Sequence, residues 1–337
     1  MGDYSKALFF YEKAHGILKE TLPAIHPSLA TSFNNIGLVY SQMGEYFKAL
    51  FCYEKGLEIR QKSLPANHRD LASSLSSIGR IYFDMGEYSK ALSFYAEGLT
   101  ITEGKVPVNQ CDLAASLRNL GEMYNGLGEY SRALEYGEKA LSIYELALSE
   151  NHPCVCGVCN ILGRVFQNLG EHGKALSLYG RAVETQMNSL RDDHPDLAVT
   201  YNNIGEVHCS MGDYPTAFSY YEKALEICEK NLPSMHPQIG VCYNNRGLVF
   251  SKLGEHQKAL SFLEKAIEIR QKMLPPNHPY LAASYDDIGH VYDDMDDYSK
   301  AVMYYERAVS IGQVNLPENH PRLLCYKEHL DSIKSKL

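Results

Sequence analysis

Three arginines, a run of aspartates around one histidine, and a tight group of cysteines are the residues of this chain whose types could do chemistry. Arg80, Arg118 and Arg164 recur along the first half. A guanidinium offers a two-pronged set of donors that matches a carboxylate, so a series of them would suit an acidic ligand. Asp84 lies one helical turn from Arg80 and Glu122 one turn from Arg118, so the same arginines could equally be held in ion pairs, each worth only ~0.3–0.5 kcal/mol. Near the other end, Asp286, Asp287, Asp293, Asp294, Asp296 and Asp297 crowd around His290. On a helix, Asp286 and Asp294 at four residues and Asp287 and Asp293 at three share a face with that imidazole. A metal site is conceivable there, but the calcium-loop pattern is missing, and the like charges could be solvated or await a basic partner. Cys154, Cys156 and Cys159 follow His152. Helical spacing spreads such thiols around an axis, and cysteine in these places reads as a small buried hydrophobe. The glycines recur singly, and no G-x-x-x-x-G-K-[ST] loop is present to cradle phosphate. No catalytic residue, cofactor or metal is assigned, and the chain is expected not to be an enzyme.

The elements that must carry these residues follow from a period of 42 residues. Gly2, Gly44, Gly86, Gly128, Gly170, Gly212 and Gly254 keep that step, and Asp296 takes the next place. So do Ala7, Ala49, Ala91, Ala133, Ala175, Ala217, Ala259 and Ala301, and a second glycine column, Gly37, Gly79, Gly121, Gly163, Gly205, Gly247 and Gly289. Within a period, Leu29, Phe33, Ile36, Gly37 and Tyr40 mark one helical face, and Tyr46, Ala49, Leu50, Tyr53, Leu57 and Ile59 a second, longer one. Met43-Gly44 stops the first helix, glycine tolerating the left-handed conformation. Leu64-Pro65 closes the second, and a loop ending in His-Pro, as at His26-Pro27 or His194-Pro195, opens the next period. Those loop histidines come one per repeat, too far apart to converge on a metal, and read as loop and cap residues. No alternating pattern predicts a strand.

The small columns have a packing reason. Gly37 and Ala49 fall where the two helices of a pair cross. Gly56 and Ala140, in a third small column, are expected to admit the first helix of the following repeat, with Tyr40 and Tyr53 filling the space between. One pair cannot bury its apolar face alone, so pairs must stack. The expected organisation is a single repeat array over 1–337: an unpaired second helix at 3–21, pairs at 28–63, 70–105, 112–148, 154–190, 196–232, 238–274 and 280–316, and a capping helix at 321–336. The opening helix, with Phe9, Phe10 and Tyr11, has no partner before it. The expectation is that the chain is a fragment of a longer protein or that another surface covers this face. Arg246 breaks the column of Ile36, Ile78, Leu120, Leu162, Ile204 and Ile288, so its charge must reach solvent or a partner.

Ile36-Gly37-x-x-Tyr40, Gly44-Glu45-Tyr46 and Ala49-x-x-x-Tyr53 together resemble the tetratricopeptide repeat. The usual first-helix tryptophan is replaced by Phe33, Leu75 or Tyr201, and each repeat is eight residues longer than the usual 34. The longer form, best seen in His194-Pro195-Asp196-Leu197-Ala198 and Tyr201-Asn202-Asn203-Ile204-Gly205, resembles the kinesin light chain group. The resemblance covers essentially the whole chain. It implies an all-α solenoid, a right-handed superhelix of antiparallel helix pairs, and a non-catalytic protein-interaction scaffold, with a cargo-adaptor role as one form of it. The coiled-coil arm of kinesin light chains is not visible. The alternative is the repeat region of a larger enzyme or NTPase. The resemblance also places first-helix residues on a concave groove. Among its sixth slots are Asn35, Asn119, Asn203 and Asn245, whose amides could hold the backbone of an extended peptide. Arg118 falls in a fifth slot, and Arg80 and Arg164 in ninth slots, of the same wall. These seven residues are the candidate binding site for a protein or peptide ligand of partly acidic character. The two-carboxylate clamp of chaperone-binding relatives is missing.

Bulk composition restricts the partner further. The 337 residues carry a formal charge of −9, with 45% hydrophobic and 22% charged residues. A basic footprint for nucleic acid is lacking. No apolar run approaches the ~18 residues of a membrane span. Met1–Phe10 do not form a signal peptide, and Lys6 occupies the place where myristoylation wants Ser or Thr. Nine cysteines, an odd number, read as reduced thiols of a cytoplasmic protein.

Overall fold

The computed structural model describes residues 4–43, 45–104, 108–148, 152–189, 193–316 and 318–336. Among them are sixteen helices and no strand. An opening helix, α1 (Tyr4–Thr21), precedes α2 (Pro27–Gln42) and α3 (Tyr46–Ser63), then α4 (Arg69–Asp84) and α5 (Tyr88–Glu103), and α6 (Gln110–Gly126) and α7 (Tyr130–Ala147). They are followed by α8 (Pro153–Asn168) and α9 (His172–Ser189), α10 (Pro195–Ser210) and α11 (Tyr214–Asn231), α12 (Pro237–Lys252) and α13 (His256–Met273), α14 (Pro279–Asp294) and α15 (Tyr298–Asn315), and a closing α16 (Pro321–Lys334). Even-numbered helices up to α14 are the first, or A, helix of a pair, and odd-numbered ones from α3 the second, or B. The contacts divide the chain into two compact units, Met1–Leu162 and Gly163–Leu337.

Each A helix, and the closing α16, begins on a side-chain cap. Nδ1 of His26, His68, His152, His194, His236, His278 and His320 accepts the backbone N–H two residues on, at 3.0–3.3 Å. At α6, Asn109 takes the same role through Oδ1, 3.1 Å from the Asp112 N–H. The loop histidines therefore act as caps, which satisfies one of the donors that every helix start leaves unpaired. A helices end on glycine: Gly86, Gly128, Gly170, Gly212 and Gly254 have φ between 75° and 80°, and Asp296, in the same column, adopts φ 60°. The expectation at Gly44 lies outside the described residues.

The small columns pack as two different joints. A Cβ on Gly37 would lie 3.1 Å from the Tyr53 ring and 3.3 Å from the Ala49 carbonyl oxygen, so this is where A and B of one pair cross. The third column corrects the expectation made for it. A Cβ on Gly56 would come 3.2 Å from the Ala30 oxygen and meet Asn34 Oδ1, and one on Gly98 would sit 3.4 Å from the Ala72 oxygen. Both neighbours belong to the A helix of the same pair, not the next. A single 42-residue period says which residues are equivalent but not which neighbour each one faces. The following A helix is met one turn earlier on B. Tyr53 packs with Ile78 and Ile81, and at Gly137, in Tyr53's column, a Cβ would run into the Leu162 side chain.

A second joint between repeats, not anticipated from the sequence, links a residue near the end of a B helix to one fourteen positions later on the next A helix. In the first unit Arg60 Nη1 donates to Ser74 Oγ at 2.6 Å, and Thr102 and Ser116 hydroxyls lie 3.4 Å apart. In the second unit Thr200 Oγ1 donates to Gln186 Oε1 at 3.0 Å, the Cys228 and Cys242 sulfurs are 3.9 Å apart, and Arg270 Nη1 donates to Ser284 Oγ. These polar atoms are buried, and pairing them removes the penalty of leaving a donor or acceptor unsatisfied.

Candidate functional site

The residues of interest lie on A helices, and within each unit side chains reach from one A helix to a neighbouring one. In the first unit Arg80 of α4 donates from Nη1 to Glu122 of α6 at 2.8 Å, and its Nε lies 3.0 Å from Asp84 of its own helix. The Phe83 ring lies 5.5 Å from the guanidinium carbon. Asp84 and Glu122 raise the Arg80 pKa well above its ordinary value, while burial pushes the Asp84 carboxyl up despite the nearby cation. Glu122, expected beside Arg118 within one helix, is instead committed to the preceding repeat. Arg118 is half-buried and, among the described residues, has no ion pair. Its Nη2 donates to Asn119 Oδ1 at 3.3 Å, and a Cβ on Gly157 would come 3.2 Å from Nη1. Asn119 and Asn35 are both half-buried. Arg80, although its side chain is half exposed, is thus paired with carboxylates of its own chain, and Arg118 is not.

In the second unit Arg164 is half-buried and close enough to Tyr179 to oppose the upward push that burial gives that phenol. A chain of side chains then runs across the A helices. The Tyr179 hydroxyl donates to Gln167 Oε1 at 3.1 Å, and Gln167 Nε2 donates to Glu206 Oε2 at 3.1 Å. Asn245 Nδ2 reaches Glu206 Oε1 at 3.4 Å and Asn202 Oδ1 at 3.5 Å. Asn203 is only 8% exposed, and its buried Nδ2 has no hydrogen-bond partner. Of the asparagine column, Asn245 is occupied by its own protein and Asn203 retains an unused donor. Arg118 and Asn119 belong to the first unit, and Arg164, Asn203 and Asn245 to the second.

The neighbouring fifth-slot column was not singled out by its asparagines, yet it is the more connected. Asn202 Nδ2 donates to Cys242 Sγ at 3.2 Å. Asn244 Nδ2 donates to Asp287 Oδ2 at 2.7 Å, while its Oδ1 accepts from Arg270 Nη1 at 2.8 Å and Ser284 Oγ at 2.6 Å. Burial lowers the Arg270 pKa to about 10 and pushes the Asp287 carboxyl up to about 7. The signal in sequence was a second asparagine beside the first in Asn202-Asn203 and Asn244-Asn245. The acidic group around His290 also has its basic partners, one on α16 and one just after it: His329 Nδ1 lies 2.9 Å from Asp286 Oδ1, and Lys336 Nζ 2.7 Å from Asp293.

Cys156 and Cys159 are buried and free of disulfides, in keeping with their reading as core residues. Arg246 finds aromatic neighbours. Its guanidinium carbon is 5.0 Å from the Phe218 ring centroid and 4.9 Å from that of Phe262, and Nη2 is 3.8 Å from Glu222. Among the described residues no helix is long and apolar enough to cross a membrane.

Comparison with known proteins agrees with this architecture. No curated protein matches the chain. Among solved structures, BtubC (BKLC) from P. vanneervenii is 24% identical and aligns over 69% of this chain and 91% of its own, with a TM-score of 0.51. A Podosopora anserina putative kinesin light chain with nearly identical TPR-like repeats is 23% identical over 61% of this chain and 97% of its own, with a TM-score of 0.45. A Rap protein complexed with competence and sporulation factor is 16% identical over 99% of this chain and 98% of its own, with a TM-score of 0.58. The family model for the tetratricopeptide repeat matches residues 28–104, 112–184, 156–230, 196–272 and 238–313. With helix pairs, small-residue crossings and family match in agreement, this chain belongs to the tetratricopeptide repeat family.

Proposed function

We propose that this chain is a protein-interaction scaffold whose A-helix face binds an extended, partly acidic peptide segment of a partner protein. The observation that carries the reading is Arg118. It is a half-buried guanidinium on that face, its only hydrogen bond among the described residues goes to Asn119, and no carboxylate neutralises it. A carboxylate of a ligand would complete it, and its partial burial makes that pairing stronger than at an open surface. Asn119 and Asn35 add amides able to hold a peptide backbone in the first unit; in the second, Asn203 has an unused Nδ2 that is buried and would have to turn outward to reach a ligand. Arg80 contributes less than its sequence position implied, since Asp84 and Glu122 already hold it. Support also comes from a fold relative solved in complex with competence and sporulation factor.

The test is selection from a random peptide library displayed on phage, with the intact chain as bait. Selected peptides should be enriched in Asp and Glu and should bind Arg118→Ala more weakly, the difference shrinking as salt screens the charge. Asn119→Ala and Asn203→Ala should weaken binding at every salt concentration. Peptides without acidic preference that bind all three variants like the parent would remove this face as the site.

A further inference from the structure

We propose that Asp286, His290 and His329 form a binding site for a divalent transition-metal ion of the zinc type, joining the last A helix to the closing helix. Asp286 and His290 lie four residues apart on α14, and His329 comes from α16. One ligand atom from each of the three lies within 4.8 Å of the others, the only such group of three among the described residues. Tetrahedral zinc with bonds of about 2.0–2.1 Å needs neighbouring donor atoms about 3.3 Å apart. Asp286 turns one oxygen to each histidine, Oδ1 lying 2.9 Å from His329 Nδ1 and Oδ2 3.6 Å from His290 Nε2, so each contact is within 0.5 Å of that separation and one ion would draw both nitrogens onto the same carboxylate. The two imidazole rings are 4.2 Å apart, centroid to centroid, and inclined at 71°. Both histidines therefore turn toward the same carboxylate, one to each of its oxygens, which brings the three donor groups together.

The outer nitrogens are also held, as they are around most metal-bound histidines. Nδ1 of His290 lies 3.0 Å from the Tyr305 hydroxyl, and Nε2 of His329 is 3.3 Å from Cys325 Sγ. With Tyr305 accepting from Nδ1–H, His290 directs a lone pair from Nε2 at the Asp286 carboxylate, an arrangement that a bound cation stabilises. Asp287, Asp293 and Asp294 make the surroundings negative, offset in part by Lys336 on Asp293. Two imidazoles and a carboxylate favour zinc, copper or nickel over calcium or magnesium. Three protein ligands leave a fourth position for water. Asp286 is buried, while His290 and His329 side chains are 42% and 26% exposed, which gives an ion a way in. The other occupant of such a cluster is a proton alone, shared between Asp286 and His329.

The experiment uses the intact 337-residue chain, with any affinity tag removed and bound metal stripped by chelator. Zinc chloride is titrated in by calorimetry, and cobalt chloride by visible absorbance, which reads the coordination sphere directly. The site should take one equivalent of zinc, raise the melting temperature, and give the visible bands of histidine-ligated cobalt. Asp286→Asn, His290→Gln and His329→Gln should each abolish the bands. Tyr305→Phe, which removes only the outer hydrogen bond, should weaken zinc by about tenfold. Circular dichroism shows whether each variant is folded, and the partly exposed His290→Gln serves where the buried Asp286→Asn is not. Zinc binding that survives His290→Gln and His329→Gln, or is lost on Cys159→Ser instead, overturns the assignment. So does a parent chain that binds no zinc while its α16 helix stays docked, which would leave the proton as the occupant.

Discussion

Arg246 sits between two phenylalanine rings, its guanidinium carbon 4.9 Å from the centroid of Phe262, at a position where six other repeats carry isoleucine or leucine. Cation–ring attraction of ~0.5–1 kcal/mol at each of the two rings, with Glu222 nearby, balances the desolvation of a charge that is 18% exposed. One donor remains unsatisfied, since Nε is buried without a partner. Arg246→Leu, which restores the column's residue type, should therefore leave stability unchanged or raise it, because a well-packed apolar replacement for a buried charge is commonly neutral or stabilising. Arg246→Ala, which loses both rings and leaves a void, should cost about 1–2 kcal/mol in urea denaturation. Equal stability of Arg246→Ala and the parent would show that the rings do not hold the arginine.

The buried group around Arg270 should respond in the opposite sense. Asn244 accepts from Arg270 and Ser284 and donates to Asp287. Asn244→Ala removes all three contacts while both charged groups stay where they are. Leaving a buried donor or acceptor unsatisfied typically costs ~1–3 kcal/mol, more where the group is charged, so this change should be among the more damaging single substitutions in the second unit. Arg270→Met, which removes the charge and keeps the volume, should cost less. The comparison is made by guanidinium denaturation of the two variants. Arg270→Met proving the worse of the two would mean that Asn244 does not hold the group together.

These two sites show what the sequence could and could not convey. The 42-residue columns made the helix pairs, the Gly37–Ala49 crossing and the histidine caps legible, because one residue type repeats at each place. The joint that ties Arg60 to Ser74 and Cys228 to Cys242 was hidden because its chemistry changes from repeat to repeat while only the fourteen-residue separation persists. His329 was passed over because α16 was read only as a solvated cap. It stands in the same slot as Asn35 and Asn203, one repeat beyond Asp287, and that register was the available clue. Arg80 and Arg118 looked alike on the page. Which of them keeps a free charge depends on Glu122 turning toward the preceding repeat, a choice that side-chain geometry decides.

The histidine caps give a local prediction. His194 Nδ1 accepts the Asp196 N–H at 3.3 Å at the start of α10. His194→Ala should destabilise by ~0.5–2 kcal/mol, whereas His194→Asn should recover most of the loss, as Asn109 does at α6. Thermal denaturation of the three proteins decides it. If asparagine is no better than alanine, the imidazole matters for a reason other than capping.

The glycine columns permit substitutions of opposite sign in the same residue type. Gly205 lies on the crossing of α10 and α11, where an added Cβ would be 2.5 Å from Tyr221 Cε1. Tyr221 is 1% exposed, so its ring has nowhere to move without opening the pair. Gly205→Ala should therefore cost ~1–3 kcal/mol, and so should Ala217→Leu, which enlarges a fully buried residue on the partner helix. Gly180, in the middle of α9, has nothing within 4 Å of the Cβ position and is exposed. There alanine only restricts the unfolded chain and favours the helix, so Gly180→Ala should stabilise by ~0.5–1 kcal/mol. Urea denaturation of the three variants against the parent checks the signs. Loss of stability at Gly180 would mean that its open side is covered by a neighbour, and an unchanged Gly205→Ala would mean that the pair relaxes at the crossing more easily than the buried Tyr221 ring implies.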